Sequence, residues 1–482
     1  MAQELLINVS PLETRIALVS GGRLREVFAE RKGYPSLVGN VYLGKVTKIL
    51  TGANAAFVDC GLERSGFLLA KDARLPGEDS DKESYISDSV QEGSQIMVQV
   101  FKEPMADKGA RIRSRISFVG RYLVFMPDQC TVNFSRRLTD KEERDRLTGL
   151  VEGVVNPSDG VIVRTVAEGV DSEIFVKELL HLKERWVEIQ ETASKAQAPA
   201  TIYAEIDPVL QKLRDHLSVS VDAVLIDDRA TFSRARTFCE RYMPTFSAKV
   251  ELLSKPGSAF ENYELEQQIE EMSTPKVHLR SGGTLYIEET RSMTVIDVNS
   301  ARSVGISNRT AIFFQTNLEA AREIAWQLRL RNIGGIVAID FINMQLPEKR
   351  DKVLTELKTA LATDPAHVYL TQFSRLGLVE LTRARTRRSY AHQLTEECEH
   401  CHGIGRLKTA YSVAVEVLRC LSVETRFEAG RNFSVITNPE VVAILEGQER
   451  TAVEDLQRQS AASFRFVSDP SIEREAFKLV PI

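Results

Sequence analysis

The sequence predicts a multidomain chain of mixed α/β and α+β class that contains a small β-barrel and a strand–helix–strand unit. Three observations predict it. Residues 37 to 116 read as short strands broken by glycines at 39, 44, 52, 61 and 66, the pattern of a small barrel. Residues 276 to 362 read strand, helix, strand, helix, and a single crossover helix makes its two strands parallel neighbours. The 482 residues exceed what one core organises and suffice for about three or four domains.

In chain order, the first 33 residues alternate apolar and polar around Leu5–Val9 and Arg15–Val19, with Gly21-Gly22 as turn residues, which predicts a β-hairpin. The barrel strands are expected at Asn40–Leu50, Ala55–Asp59 and Ser65–Leu68, and the insert Gly77–Asp88, with its five acidic residues, as a loop. A mixed segment follows, with a strand at Gly160–Thr165 and a helix around Lys177–Thr192. Residues 210 to 242 read helix, strand (Ala223–Asp227) and helix. Beyond Gly282-Gly283 come the strands Thr284–Glu288 and Met293–Asn299. A long helix is N-capped by Ser307 or Asn308 and ends near Arg331 before Gly334-Gly335. The strand Ile336–Phe341 and a helix from about Glu348 to Ala362 complete the unit. After Tyr411 the alternation at Phe433–Ile436, Val441–Leu445 and Phe464–Val467 predicts a small α+β module.

Composition excludes several classes. Hydrophobic residues make up 43% and charged residues 27%, as in ordinary globular proteins. The longest apolar runs, such as Ile333–Ile342, fall short of the ~20 residues of a spanning helix. The N-terminus lacks the basic and apolar regions of a secretory signal, so a cytoplasmic location is expected. Six cysteines in so long a chain are thiols or metal ligands rather than a disulfide framework. The net charge of −5 gives no general support for nucleic-acid binding, so any RNA contact must be local. One candidate patch is Arg383-Ala-Arg385-Thr-Arg387-Arg388, which reads equally well as a solvated helix face.

The most informative constellation is Asp297 with Asn299, and Asp340. Both aspartates sit near the C-terminal ends of otherwise apolar strands, and the ~43 residues between them hold one crossover helix. Adjacent strands lie about 4.8 Å apart, so the two carboxylates can converge at the sheet edge where open α/β sheets place ligands. Asn299 is two residues after Asp297 and points to the same face. Two ionised carboxylates at about 4 Å repel by about 4 kcal/mol at an effective dielectric of about 20, and a divalent cation removes that conflict. Oxygen donors without His or Cys favour Mg²⁺ or Mn²⁺ over zinc. A water on Mg²⁺ can become a nucleophile toward phosphorus. The alternative is that each aspartate only ends a strand or caps a helix.

These residues, with Thr316-Asn317-Leu-Glu-Ala-Ala, Gln327-Leu-Arg-Leu-Arg331-Asn-Ile-Gly-Gly335 and Gly377-Leu-Val-Glu380, resemble the catalytic core of the RNase E/RNase G family. Gly44-Lys-Val, Ala55-Ala-Phe57-Val-Asp and Gly66-Phe67 resemble its OB-fold RNA-binding domain. The resemblance covers roughly residues 1 to 410, and chain length fits the RNase G branch better than the RNase E branch. It implies an RNase H-like subdomain from residues 1–34 and 210–275, interrupted by an OB-fold at 35–118 and a 5′-end sensor at 119–209. A DNase I-like catalytic subdomain at 276–396, a zinc-link at 397–409 and a small C-terminal domain at 410–482 would follow. Asp297 and Asp340 match the magnesium ligands and Asn299 the residue that orients the first. The implied activity is endonucleolytic cutting of single-stranded, A/U-rich RNA, including precursor rRNA and mRNA, to 5′-phosphate and 3′-hydroxyl ends. One departure is Asn343, where the family usually has a second Asp.

The resemblance also assigns binding residues. Phe57 and Phe67 match RNA-stacking positions and Lys108 a phosphate-contacting lysine, whereas an isolated Phe in a barrel more often fills the core. Arg164-Thr165 offers a guanidinium fork and a hydroxyl suited to a terminal phosphate. Gly120, Val124, Arg164 and Thr165 match the 5′-monophosphate pocket. The last basic residue of that pocket is His367 here, which would weaken the preference. Cys398-Glu-His-Cys401-His is half of a four-ligand zinc site, open to completion by His400, His402 or His392, by a second chain, or to no metal at all. The family pattern implies that two chains share one Zn²⁺ in a homodimer, with pairing of dimers into a tetramer left open. A non-catalytic RNA-binding or ribosome-associated protein is the competing reading, and a hydrolase of small phosphodiesters a third, against which the aromatic barrel argues.

Overall fold

The structure is a computed structural model and describes residues 2–31, 33, 36–73, 85–104, 108–135, 138–156, 158–254, 257–300, 309–385, 389–427 and 430–482. The expected N-caps Ser307 and Asn308, most of the acidic insert and Arg387-Arg388 lie outside them. The chain forms two compact units, residues 1–393 and 394–482. Among the described residues no helix is long and apolar enough to cross a membrane.

The first unit opens with a mixed sheet in the order Val250–Leu252, Ala223–Ile226, Gln3–Val9, Glu13–Ser20, Arg23–Arg31. The expected hairpin is therefore a three-stranded meander. A tight turn closes at Ser10–Glu13, and Gly21 and Gly22 (φ 59° and 76°) make the second turn. Leu5, Leu6 and Ile7 are all buried because the sheet is covered on both faces. Leu5 and Ile7 pack with helices Pro208–His216 and Arg229–Tyr242, and Leu6 with Phe260, Leu265 and Ile269.

The second sheet closes on itself. Val41–Leu50, Ala55–Asp59, Gly66–Leu69, Arg111–Arg113 and Gln95–Lys102 form a five-stranded barrel, closed by pairing of the first with the last. Val46, Ala56, Val58, Leu68, Val98, Val100 and Ile112 fill it. Ala200–Tyr203, within the segment 119–209 that the resemblance gave to a 5′-end sensor, adds to its Val41–Leu43 edge. A four-stranded sheet over residues 118–163 packs with helices Lys141–Glu152 and Ser172–Lys195 through Phe118, Phe125, Leu147, Val161 and Phe175.

The third large sheet runs Lys276–His278, Thr284–Glu289, Met293–Asn299, Gly335–Asp340, Leu378–Arg383, Val368–Phe373. Only the Met293–Asn299 and Gly335–Asp340 pair is parallel, joined by helix Arg309–Leu330, as the crossover pattern required. Burial alternates strictly along Met293–Asn299: Thr294, Ile296 and Val298 face the helices, while Met293, Val295, Asp297 and Asn299 face outward. Helices Arg309–Leu330 and Pro347–Leu361 cover the inner face through Ala320, Ala321, Ile324, Leu328, Val353 and Leu357. Among the described residues no helix covers the outer face.

The second unit carries a three-stranded sheet, Phe464–Ser468, Phe433–Thr437, Phe477–Pro481, with helix Ala410–Phe427 and two shorter helices packed on it. Residues 441–445, one step of the expected alternation, lie in helix Pro439–Glu446.

Candidate active site

Asp297 and Asp340 are direct partners in the parallel ladder. Their side chains emerge side by side from the outer face, at the strand ends. Asn299 donates Nδ2–H to Asp297 Oδ2 at 2.5 Å, which fixes one carboxylate rotamer and leaves its other oxygen for a ligand. Asp297, Asn299, Ser300, Asp340 and Asn343 line an open, polar cavity of about 300 Å³. The donor set is oxygen only, exposed and roomy enough to keep waters, which fits a hard divalent cation. Among the described residues no cluster of three or more His, Cys, Asp or Glu side chains is placed to hold a metal, so much of such an ion's coordination would be water or substrate.

Two features hold this edge that residue-type reasoning passed over. Fully buried Asn317 donates to Ile342 O at 2.7 Å and accepts from Ile342 N at 3.1 Å. It therefore clamps the loop that follows Asp340 and carries Asn343. The signal was present: an Asn within the apolar stripe of a helix must find partners. Gly283 packs so closely that a Cβ would lie 2.8 Å from Asn299 O and 2.8 Å from Thr316 Cγ2.

On the barrel, Phe57 and Phe67 are cross-strand partners on the outer surface, with ring centroids 5.6 Å apart. Neither belongs to the barrel core. Lys48 pairs with Phe57 and Arg111 with Phe67, so the row reads cation, aromatic, aromatic, cation. Lys108 is exposed, two residues before Ala110, whose carbonyl accepts from Phe67 N at 2.8 Å.

Arg164 donates Nη1–H to Gly120 O at 2.6 Å and lies 3.1 Å from Asp215. Burial alone would raise the Asp215 carboxyl, but Arg214 and Arg164 outweigh it and hold that carboxyl below the usual range. Thr165 exchanges a hydrogen bond with Ser135 at 2.8 Å. Val124 lies on the strand Leu123–Met126 that pairs with Gly160–Val163, immediately before Arg164. Glu178 accepts from Arg121 N at 2.5 Å and Tyr122 N at 2.8 Å, and a Cβ on Gly120 would lie 2.7 Å from its carboxyl carbon. His367 is exposed before the edge strand Val368–Phe373, and among the described residues no hydrogen bond or ion pair joins it to Arg164 or Thr165.

Arg383, at the head of the basic run, differs from the expected RNA patch or solvated helix face. Arg383 ends a strand, is 4% exposed, and forms a buried ion pair with Asp364 at 2.8 Å while donating to Ile333 O at 2.9 Å. It is a structural cation. Arg385 donates to Gly334 O at 3.1 Å.

In the second unit, Cys398 and Cys401 lie in a tight loop where His402 N donates to Cys398 O at 2.8 Å and Gly405 N to Cys401 Sγ at 3.3 Å. Backbone N–H groups of Cys401 and His400 lower the Cys398 thiol from its ordinary value. Amides aimed at sulfur favour thiolates, the form that binds zinc.

In one chain, a carboxylate pair at an α/β sheet edge and a barrel with outward aromatics fit a protein that acts on nucleic acid. The family model "Ribonuclease E/G family" matches residues 117–386, and "RNase E/G, Thioredoxin-like domain" matches 397–482. Over the whole of both chains this protein is 38% identical to Ribonuclease G of Salmonella typhimurium (strain SL1344) and 37% identical to Ribonuclease G of Escherichia coli (strain K12). Ribonuclease E of Escherichia coli (strain K12) is 32% identical, all of this chain matching 46% of that protein. The chain belongs to the ribonuclease E/G family.

Proposed function

We propose that this protein is a magnesium-dependent endoribonuclease that cuts single-stranded A/U-rich RNA, with rRNA precursors and mRNA as substrates in the cytoplasm. The observation that carries the reading is the in-register pair Asp297–Asp340 with Asn299 bonded to one of them. The two carboxylates and the surrounding waters would hold Mg²⁺. When bound, the ion supplies charge neutralisation at the scissile phosphate and an activated water. Asn299 keeps Asp297 in one rotamer, and Asn317 keeps the Asp340 loop in place. Phe57 and Phe67 stack bases without selecting sequence, while Lys108 meets the backbone, which suits flexible single strands. Attack by water at phosphorus, with the bond from phosphorus to the 3′-oxygen breaking and that oxygen taking up a proton, would leave 5′-phosphate and 3′-hydroxyl ends. Gly120, Val124, Arg164, Thr165 and His367 form the proposed 5′-monophosphate pocket. The subdomains would be RNase H-like for 1–34 and 210–275, OB-fold for 35–118, end-sensing for 119–209 and DNase I-like for 276–396. Cys398 and Cys401, in the link 397–409, would share one Zn²⁺ with a second chain.

The test is cleavage of a single-stranded oligoribonucleotide with and without Mg²⁺. Asp297→Asn and Asp340→Asn are each expected to reduce turnover by at least about 100-fold, a loss of about 2.7 kcal/mol of transition-state stabilisation. Binding without cutting in the unmodified protein favours a non-catalytic RNA-binding role.

A further inference from the structure

The ladder places two further side chains on one line with the carboxylate pair. Lys276 pairs with Tyr286, Tyr286 with Asp297, and Asp297 with Asp340. Registered partners share a face, and all four side chains are exposed on the outer one. Tyr286 is 37% exposed, and the Lys276 ammonium lies 6.0 Å from its ring centroid. The row thus reads cation, aromatic, carboxylate, carboxylate, and Lys276 stands two strand spacings, roughly 10 Å, from Asp297.

The same face carries a contrasting row two residues back along the strands. There Glu288 pairs with Val295, and Ala338 with Glu380. That row holds two carboxylates and no cation, whereas Lys276 offsets part of the charge of Asp297 and Asp340, so a phosphate backbone is repelled less along the Lys276 row. An open tyrosine face beside a phosphodiester site is a platform for a base, since every base has a π-face.

Resting on the endoribonuclease reading, we propose that Tyr286 stacks the base of a nucleotide flanking the scissile phosphate and that Lys276 neutralises that nucleotide's phosphate. The grip on RNA is then divided between the barrel and the cleavage sheet itself. This sheet-borne subsite fixes where along the strand the bond is cut.

The experiment uses the full chain and a single-stranded oligoribonucleotide with one cut site, scanned with single abasic positions. In the unmodified protein one abasic position flanking the cut is expected to raise KM about tenfold. In Tyr286→Ala the intact oligonucleotide shows that rise, and the abasic position adds nothing further; Tyr286→Phe restores stacking. In an Asp340→Asn background, Tyr286→Ala is expected to weaken binding of uncut RNA about tenfold. Lys276→Ala should lower the slope of log affinity against log salt by about 1. Equal abasic sensitivity at every flanking position in Tyr286→Ala and the unmodified protein, with unchanged binding, overturns the subsite alone. Failure of the unmodified protein to cut overturns both this subsite and the endoribonuclease reading. Melting of each variant within about 2 °C of the parent separates these effects from loss of fold.

Discussion

Among the described residues Asn317 bonds to no carboxylate, yet it holds the loop that follows Asp340. Its amide satisfies both backbone groups of Ile342. Asn317→Leu keeps the volume but strands two peptide groups at about 1–3 kcal/mol each. The expected result is a lower melting temperature together with a larger fall in kcat than rise in KM, read by calorimetry and steady-state cleavage. Asp215 gives a second prediction at this scale. Its carboxyl is depressed in the folded state by Arg214 and Arg164. Its contribution to stability is therefore complete above the ordinary Asp value of about 3.9 and is lost as pH falls through the lower folded value. The melting temperature of Asp215→Asn should approach that of the unmodified protein as pH falls below about 4, and lie below it at pH 7. The same pairing occupies the fork proposed to bind a 5′-phosphate. Arg164→Ala should thus reduce discrimination between 5′-monophosphate and 5′-hydroxyl RNA, and equal cleavage ratios in variant and parent would refute the pocket.

At the scale of elements, the long helix Arg309–Leu330 serves two sheets. One stripe, Ala320, Ala321, Ile324 and Leu328, packs under the carboxylate strands. The other side meets the N-terminal meander: Trp326 donates to Leu24 O at 3.0 Å and stacks under Arg23 at 4.5 Å, and Arg329 pairs with buried Glu26. Within the family-like Gln327–Arg331 motif, Arg329 joins this seam, while Arg331 ties the helix end to the chain at residue 274. Arg331 donates to Gln327 at 2.7 Å and to Thr274 O at 2.8 Å. Because Trp326 is only partly buried, Trp326→Ala should cost less than the about 3–5 kcal/mol of a core tryptophan, and a denaturation curve with no shift would contradict the shared-helix account. The barrel shows how an element sorts residues that composition cannot. Ala56, Val58 and Leu68 turn inward, so Phe57 and Phe67 between them must turn out.

For the whole molecule, the proposed zinc-link predicts a stoichiometry. Metal analysis of the purified protein should find one zinc per two chains, and chelation should shift sedimentation toward monomer. A full zinc per chain, or dimers indifferent to chelator, would remove the shared site.

Periodicity and chemistry by themselves determined the strand ends that carry Asp297 and Asp340, the crossover that makes those strands parallel, and the thiol pair, because these depend on short-range patterns of burial and on ligand type. The family motifs belong to the same legible part. Tertiary structure alone decided that Arg383 is an internal cation, because its partner Asp364 is brought to it by folding and a charge run carries no mark of burial. It alone decided which way Phe57 and Phe67 face, since an isolated Phe has no direction until the barrel register exists. It also placed Tyr286 and Lys276 in line with the carboxylates, because alignment across a sheet depends on register between strands distant in sequence, which no local pattern encodes.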